Sequence, residues 1–137
     1  MKYIGIALSV FILFIVACDK TEATDKTPAE LLEGKWNVES TELLGATVPG
    51  DGSYLIFDVC TDTICTGTDF RGTDTTTGSF TYTLNVSADS LLIEDTTSLG
   101  GGYGYDWDIE KLTETDLKMN TTTFLFGTFK IDMKKDQ

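Results

Sequence analysis

Two cysteines, Cys60 and Cys65, are close enough in the sequence to be bonded to each other. They enclose Thr61-Asp62-Thr63-Ile64, and a hairpin with a loop of this length places its two flanking residues opposite each other. Non-hydrogen-bonded antiparallel pairs have Cα atoms about 4.5 Å apart, within the span of about 4.4–6.8 Å that disulfides tolerate. The spacing therefore predicts a Cys60–Cys65 disulfide, with two buried free thiols or a redox pair as the alternatives.

The other residue types offer little catalytic chemistry. The chain has no histidine, which excludes Ser-His and Cys-His nucleophilic pairs and the usual Cys/His zinc sites. Two carboxylates would suffice for glycoside hydrolysis, but no pair stands out. Asp58, Asp62, Asp69 and Asp74 do not have the spacing of a calcium loop, so we expect solvated side chains there. We accordingly expect no enzyme, no metal site and no cofactor.

The charge of the chain limits its partners. The formal net charge is −12 at neutral pH, and such a surface repels the phosphate backbone of nucleic acids. No basic stripe that could bind lipid headgroups is present. We therefore expect no nucleic-acid partner.

Aromatic residues are the strongest candidates for a binding role. In several segments they alternate with polar residues, as in Tyr103, Tyr105 and Trp107, so one face of each strand is buried. They either line a cavity for an apolar or aromatic ligand or fill a solid core. The candidate ligand-binding residues are Trp36, Tyr82, Tyr103, Tyr105, Trp107 and Phe124.

A short helix and eight strands are predicted to position these side chains. Thr27 and Glu30 can form a capping box around Pro28, and Gly34 is expected to end the helix. The strand connections are too short for parallel crossovers, so neighbouring strands should be antiparallel. Closure into a barrel would remove the exposed edges, although a sandwich has the same alternation. The predicted strands are Lys35–Leu44, Ser53–Cys60, Ile64–Gly72, Ser79–Ser87, Ser90–Thr96, Tyr103–Leu112, Asp116–Asn120 and Thr123–Lys134.

The N-terminus resembles that of bacterial lipoproteins. Lys2 precedes an uncharged run, Ile4–Ala17, which is too short to span a membrane as a helix. Ile15-Val16-Ala17-Cys18 is similar to a lipobox, and this resemblance implies cleavage before Cys18 and attachment of lipid such as palmitate to it. We expect a protein of the bacterial cell envelope that is anchored by this lipid, in the outer membrane, on its periplasmic or surface face. The predicted organisation is a signal peptide over 1–17, a lipidated cysteine with a flexible tether over 18–27, and one β domain over 28–137.

Two further stretches resemble the lipocalins. Gly34-Lys35-Trp36, directly after the short helix, is similar to their Gly-x-Trp signature, in which the helix closes one barrel end and the tryptophan packs against it. The segment 109–119, IEKLTETDLKM, resembles the closing strands of lipocalin-like domains in bacterial lipoproteins. Lipocalins often pack an arginine on the tryptophan, but the single arginine here, Arg71, lies in or near the third predicted strand.

The lipocalin resemblance implies a fold and a function. The expected fold is an all-β, eight-stranded antiparallel up-and-down barrel preceded by a short helix. The expected function is binding of a small apolar or aromatic molecule. The alternative is a non-catalytic interaction or structural domain of the envelope with a filled core.

Overall fold

The structure, a computed structural model, describes residues 25–94, 105–123 and 127–137. The predicted signal peptide, the lipidation site Cys18 and the tether up to residue 24 lie outside the described residues. In the described part of the chain, no helix has the length and apolarity needed to cross a membrane.

The chain enters the domain through one short helix, α1 (Pro28–Leu32). Its N-terminus has the predicted capping box: the Glu30 backbone N–H donates to the Thr27 hydroxyl, and the Thr27 backbone N–H donates to the Glu30 carboxylate at 2.6 Å. Leu31 and Leu32 are buried. Five residues cannot hold a helix alone, so packing of these leucines keeps α1 folded. Gly34, which we predicted to end the helix, begins the first strand with φ +108°.

Nine antiparallel strands follow among the described residues. The sheet closes because β1 pairs with β9, which gives a barrel of eight strands made by β1 and β3 to β9. The predicted barrel is therefore confirmed. The alternative, a sandwich, does not agree with this closed sheet. The strands are β1 (Gly34–Leu43), β2 (Ala46–Pro49), β3 (Tyr54–Phe57), β4 (Cys65–Arg71), β5 (Thr76–Leu84), β6 (Ser90–Glu94), β7 (Tyr105–Leu112), β8 (Asp116–Thr123) and β9 (Gly127–Lys135).

The strand β2 was not predicted. It forms a hairpin with the end of β1, in which Leu43 pairs with Ala46. The two turn residues, Leu44 and Gly45, have φ of 53° and 78°, as the favoured two-residue hairpin turn requires. Leucine is uncommon at positive φ, and all of β2 is exposed, so neither turn chemistry nor alternation marked this hairpin in the sequence.

The strand boundaries differ from the predicted ones where burial ends. β5 stops at Leu84 rather than continuing to residue 87, and Val86 is fully exposed in the following turn. A bulge in β1 at Glu39 and one in β7 at Glu110 shift the register against the neighbouring strands. Each bulge lets the inward side chains on both sides of it face the same interior.

The barrel has two different ends. The helix end contains α1 and the turns 58–64, 85–89 and 113–115, whereas the opposite end, the mouth, contains the turns 44–45 and 72–75. The connections from β6 to β7 and from β8 to β9 lie outside the described residues. Large apolar side chains fill the interior, and those with almost no exposure include Leu32, Trp36, Phe57, Phe80, Leu91, Ile93, Leu117, Met119 and Met133.

Candidate functional site: the barrel interior

The predicted tryptophan signature closes the helix end. Trp36 is fully buried, and its indole Nε1 donates a hydrogen bond of 2.7 Å to the carbonyl oxygen of Leu32. This bond satisfies a carbonyl that the end of a helix leaves without an intrahelical partner. Trp36, one of the predicted ligand-binding residues, thus fixes α1 across the barrel end.

Lys135 packs on this tryptophan from the last strand. Its ammonium Nζ lies 5.1 Å from the centre of the Trp36 ring and donates to the carbonyl oxygen of Leu31 at 2.7 Å. Burial lowers the pKa of Lys135, and the nearby Lys26 adds to this effect, whereas Glu33 and Glu114 oppose it. Lysine therefore has the packing role for which we found no matching arginine in the sequence.

The second predicted ligand-binding residue, Tyr82, also lies towards the helix end. Its hydroxyl donates to the carbonyl oxygen of Asp58 at 2.8 Å, and its ring packs edge-on against Phe57 at 5.1 Å between centroids. Burial, followed by the charges of Asp58 and Glu33, raises the pKa of Tyr82 to about 12. Because its hydroxyl is already bonded to the backbone, Tyr82 has a structural role here.

The disulfide borders a groove at the same end. Cys60 and Cys65 are bonded, with Cα atoms 5.3 Å apart, as their spacing predicted. Cys65 lies opposite Tyr82 in the pairing of β4 with β5. The groove, of about 340 Å³, is lined by the disulfide, Tyr82, Pro28 and Val86 among others. It lies beside α1 at the helix end.

The half of the interior near the mouth, which we call the mouth half, contains a second aromatic group. Trp107 lies 6.5 Å from Tyr105 and 5.8 Å from Phe129 between ring centroids. Trp107 is buried, whereas Tyr105 and Phe129 are half-buried. The indole Nε1 of Trp107 is buried with no hydrogen-bond partner in the described part of the chain.

A carboxylate also faces the interior of the mouth half. On β4 the buried residues alternate as Cys65, Gly67 and Asp69, and Asp69 is only 1% exposed. Neither carboxylate oxygen has a hydrogen-bond partner among the residues described. Burial raises the pKa of Asp69, and its own backbone N–H and then the charge of Arg71 oppose this only in part. Our expectation that Asp69 is solvated is therefore wrong, because its position on β4 turns it towards the core.

The structure separates the predicted ligand-binding residues into two groups. Trp36 and Tyr82 belong to the helix end, and Tyr105 and Trp107 belong to the mouth half. Tyr103 and Phe124 lie outside the described residues. No cluster of side chains suited to hold a metal ion occurs over 25–94, 105–123 and 127–137.

Sequence reasoning missed three important residues, Asp69, Phe129 and Lys135. Alternation from Cys65 through Gly67 could have placed Asp69 inside the barrel. The sequence contained no comparable signal for Lys135, because its partners lie at the other end of the chain.

Comparison with known proteins supports the fold. No protein-family model and no curated protein sequence matches this chain. A crystal structure of a lipocalin-like protein from Bacteroides uniformis superposes with a TM-score of 0.55 at 13% sequence identity. The alignment covers 77% of this chain and 99% of that one. The domain therefore has a lipocalin-like fold, with a closed eight-stranded antiparallel barrel behind a short helix.

Proposed function

We propose that this domain is a non-catalytic binding module that takes up a small molecule with an apolar or aromatic body in the mouth half of the barrel. The observation that carries the proposal is that two side chains of the barrel, Asp69 on β4 and Trp107 on β7, have buried polar atoms without a hydrogen-bond partner among the described residues. Buried polar groups are nearly always hydrogen-bonded, and one without a partner requires an explanation. A ligand that binds beside them would provide partners for both.

The aromatic side chains of the mouth half suit such a ligand. Tyr105, Trp107 and Phe129 form a chain of ring contacts, and aromatic surfaces contribute much of the affinity in small-molecule sites. The absence of histidine from the sequence supports a role in binding rather than in a reaction that needs a general base.

The proposal includes attachment of the domain to a membrane of the bacterial cell envelope, the outer membrane, through lipid on Cys18. The support is the N-terminal sequence, in which a charged start, an apolar run and a lipobox-like segment end at this cysteine. The described domain begins at its helix end, so the tether joins the barrel at the end opposite the mouth.

A second candidate function is an interaction or structural domain of the envelope that binds no small molecule. The observation in its favour is the filled interior of the helix end, where Trp36, Phe57 and Leu117 have almost no exposure. In this case the loops would contact other envelope proteins.

Native mass spectrometry of the full-length protein, purified from its own host in mild detergent, tests the proposal. A reproducible small-molecule adduct that disappears on denaturation is the expected result, and its mass would help to identify the ligand. The bare mass of the lipidated chain, with no adduct, would favour the second candidate function.

A further inference from the structure

The surroundings of Asp69 define what the ligand must carry. Its neighbours across the sheet are Leu55 on β3 and Gly78 on β5. The adjacent inward residue on its own strand is Gly67, over which the Phe80 ring lies so closely that a Cβ atom would be 2.3 Å from it. Leucine and glycine side chains offer no hydrogen-bond donor, so these neighbours leave the carboxylate unpaired.

The nearest cationic side chain on the same strand is directed elsewhere. The Arg71 guanidinium Nη1 lies 3.6 Å from the Asp74 carboxylate, and both side chains are exposed by more than a third. Arg71 is the last residue of β4, and Asp74 lies in the turn that follows. An ionised carboxylate in the interior is costly unless a cation or a hydrogen-bond donor accompanies it, and neither oxygen of Asp69 has a hydrogen-bond partner among the described residues.

Two other features favour a cationic ligand over a neutral one. The chain carries a net charge of −12, which raises the local concentration of cations around it. The mouth half also presents the rings of Tyr105, Trp107 and Phe129, and aromatic faces attract ammonium groups as well as apolar surfaces.

We propose that the ligand of this barrel is an aromatic or apolar amine whose protonated nitrogen pairs with the Asp69 carboxylate. The inference rests on the proposed function, since it assumes that the mouth half binds a ligand. The ammonium group provides the missing counter-charge and donors for Asp69. The apolar body of the ligand packs against the aromatic side chains of the mouth half.

The test compares three probes that share a phenyl ring and differ in charge: phenethylamine, 2-phenylethanol and 3-phenylpropionate. The full-length protein in detergent is titrated with each, and the dissociation constant is read from its intrinsic tryptophan fluorescence. The same titrations are run on Asp69→Asn and on Asp108→Asn, the matched control. Asp108 is exposed on β7, so its replacement makes the same change in charge outside the barrel interior.

We expect phenethylamine to bind the wild-type protein about tenfold more tightly than 2-phenylethanol, the effect of one charge-assisted hydrogen bond. Asp69→Asn should abolish this preference, and Asp108→Asn should retain it. Since micelles take up each probe equally in all three samples, their contribution cancels between variants. Thermal denaturation checks that Asp69→Asn is folded, and Asp69→Ser replaces it if it is not.

The outcomes separate the two proposals. Equal affinity for the three probes in the wild type, or an amine preference that survives in Asp69→Asn, would overturn the assignment of an amine ligand while leaving a binding function in place. Failure of all three probes to bind would count against the proposed function itself, and with it against the amine.

Discussion

The two halves of the barrel interior differ in the hydrogen bonding of their buried polar groups. At the helix end, Trp36, Tyr82 and Lys135 each donate a hydrogen bond to a backbone carbonyl. In the mouth half, the Trp107 indole and the Asp69 carboxylate have no such partner in the described chain. Satisfied polar groups fix a structure, whereas unsatisfied ones reduce stability. The polar groups of the helix end therefore stabilise the fold, whereas two of those in the mouth half lack a hydrogen-bond partner among the described residues.

One buried polar group of the mouth half does have a hydrogen-bond partner. The Thr121 hydroxyl donates to the carbonyl oxygen of Asp106 at 2.8 Å, although Thr121 is also buried and faces the interior. Local hydrogen bonds are therefore available in this part of the barrel. Over 25–94, 105–123 and 127–137, only Asp69 and Trp107 have buried side-chain polar atoms without a partner, which supports the proposal of a ligand site there.

The largest expected change in the free energy of unfolding comes from substitution of Trp36. Trp36→Ala should lower the free energy of unfolding by about 3–5 kcal/mol, because it removes a buried ring and leaves the Leu32 carbonyl without its donor. Urea denaturation followed by circular dichroism measures this. Trp36→Phe, which keeps most of the ring, should lose less. A loss below about 1 kcal/mol for Trp36→Ala would contradict the structural role of the helix end.

A substitution at Asp69 is expected to stabilise the protein rather than destabilise it. In the ligand-free protein, Asp69→Asn should raise the free energy of unfolding at neutral pH by about 1–3 kcal/mol, since it removes a buried carboxylate that lacks a partner. Chemical denaturation of both proteins gives the difference, with Asp108→Asn as the control that should change little. Destabilisation by Asp69→Asn would show that the carboxylate is satisfied in the folded protein.

The pH dependence of this difference has a defined sign. The folded-state pKa of Asp69 is raised above its ordinary value of 3.8, so the folded protein holds the proton more tightly than the unfolded chain. The contribution of Asp69 to the stability of the folded protein is largest below pH 3.8, where the carboxyl group is protonated. This contribution is lost as the pH rises through the folded-state pKa. The stability difference between wild type and Asp69→Asn should therefore widen as the pH increases from acid to neutral.

A smaller effect is expected at Lys135. Lys135→Met keeps most of the side-chain stem but removes the ammonium group from the Trp36 ring and from the Leu31 carbonyl, so it should cost about 1–2 kcal/mol. Thermal denaturation measures the loss. Lys135→Arg retains the charge and the donors and should remain closer to wild type. Equal losses in the two variants would indicate that the ammonium–indole contact contributes nothing.

The smallest effect concerns Tyr82. Tyr82→Phe removes the hydrogen bond to the Asp58 carbonyl and should cost about 1 kcal/mol at neutral pH. Because burial raises the folded pKa of Tyr82 to about 12, its contribution is present below its ordinary pKa of 10.0 and is lost as the pH rises towards 12. Denaturant titrations across this range should show a weaker alkaline decline for Tyr82→Phe than for wild type.

Local features of this protein could be predicted from neighbouring residues alone. The Thr27–Glu30 capping box depends on groups three residues apart, and the Cys60–Cys65 disulfide depends on a short hairpin. Most strands were recognisable because alternation of buried and exposed side chains is set by the backbone of each strand. The general position of the Gly-x-Trp segment, directly after the helix, was also evident.

The contacts between side chains across the barrel depend on its closure and could not be predicted from the sequence. Closure brings β9 beside β1, and this places Lys135 on Trp36 although about a hundred residues separate them. Closure also puts Asp69 inside the barrel, where its carboxylate is buried. The spacing of the aspartates in the sequence did not reveal this burial. Strand propensity and hydrophobic periodicity depend on residues that are close in the sequence. Burial and the pairing of charges depend instead on the strands that surround each residue.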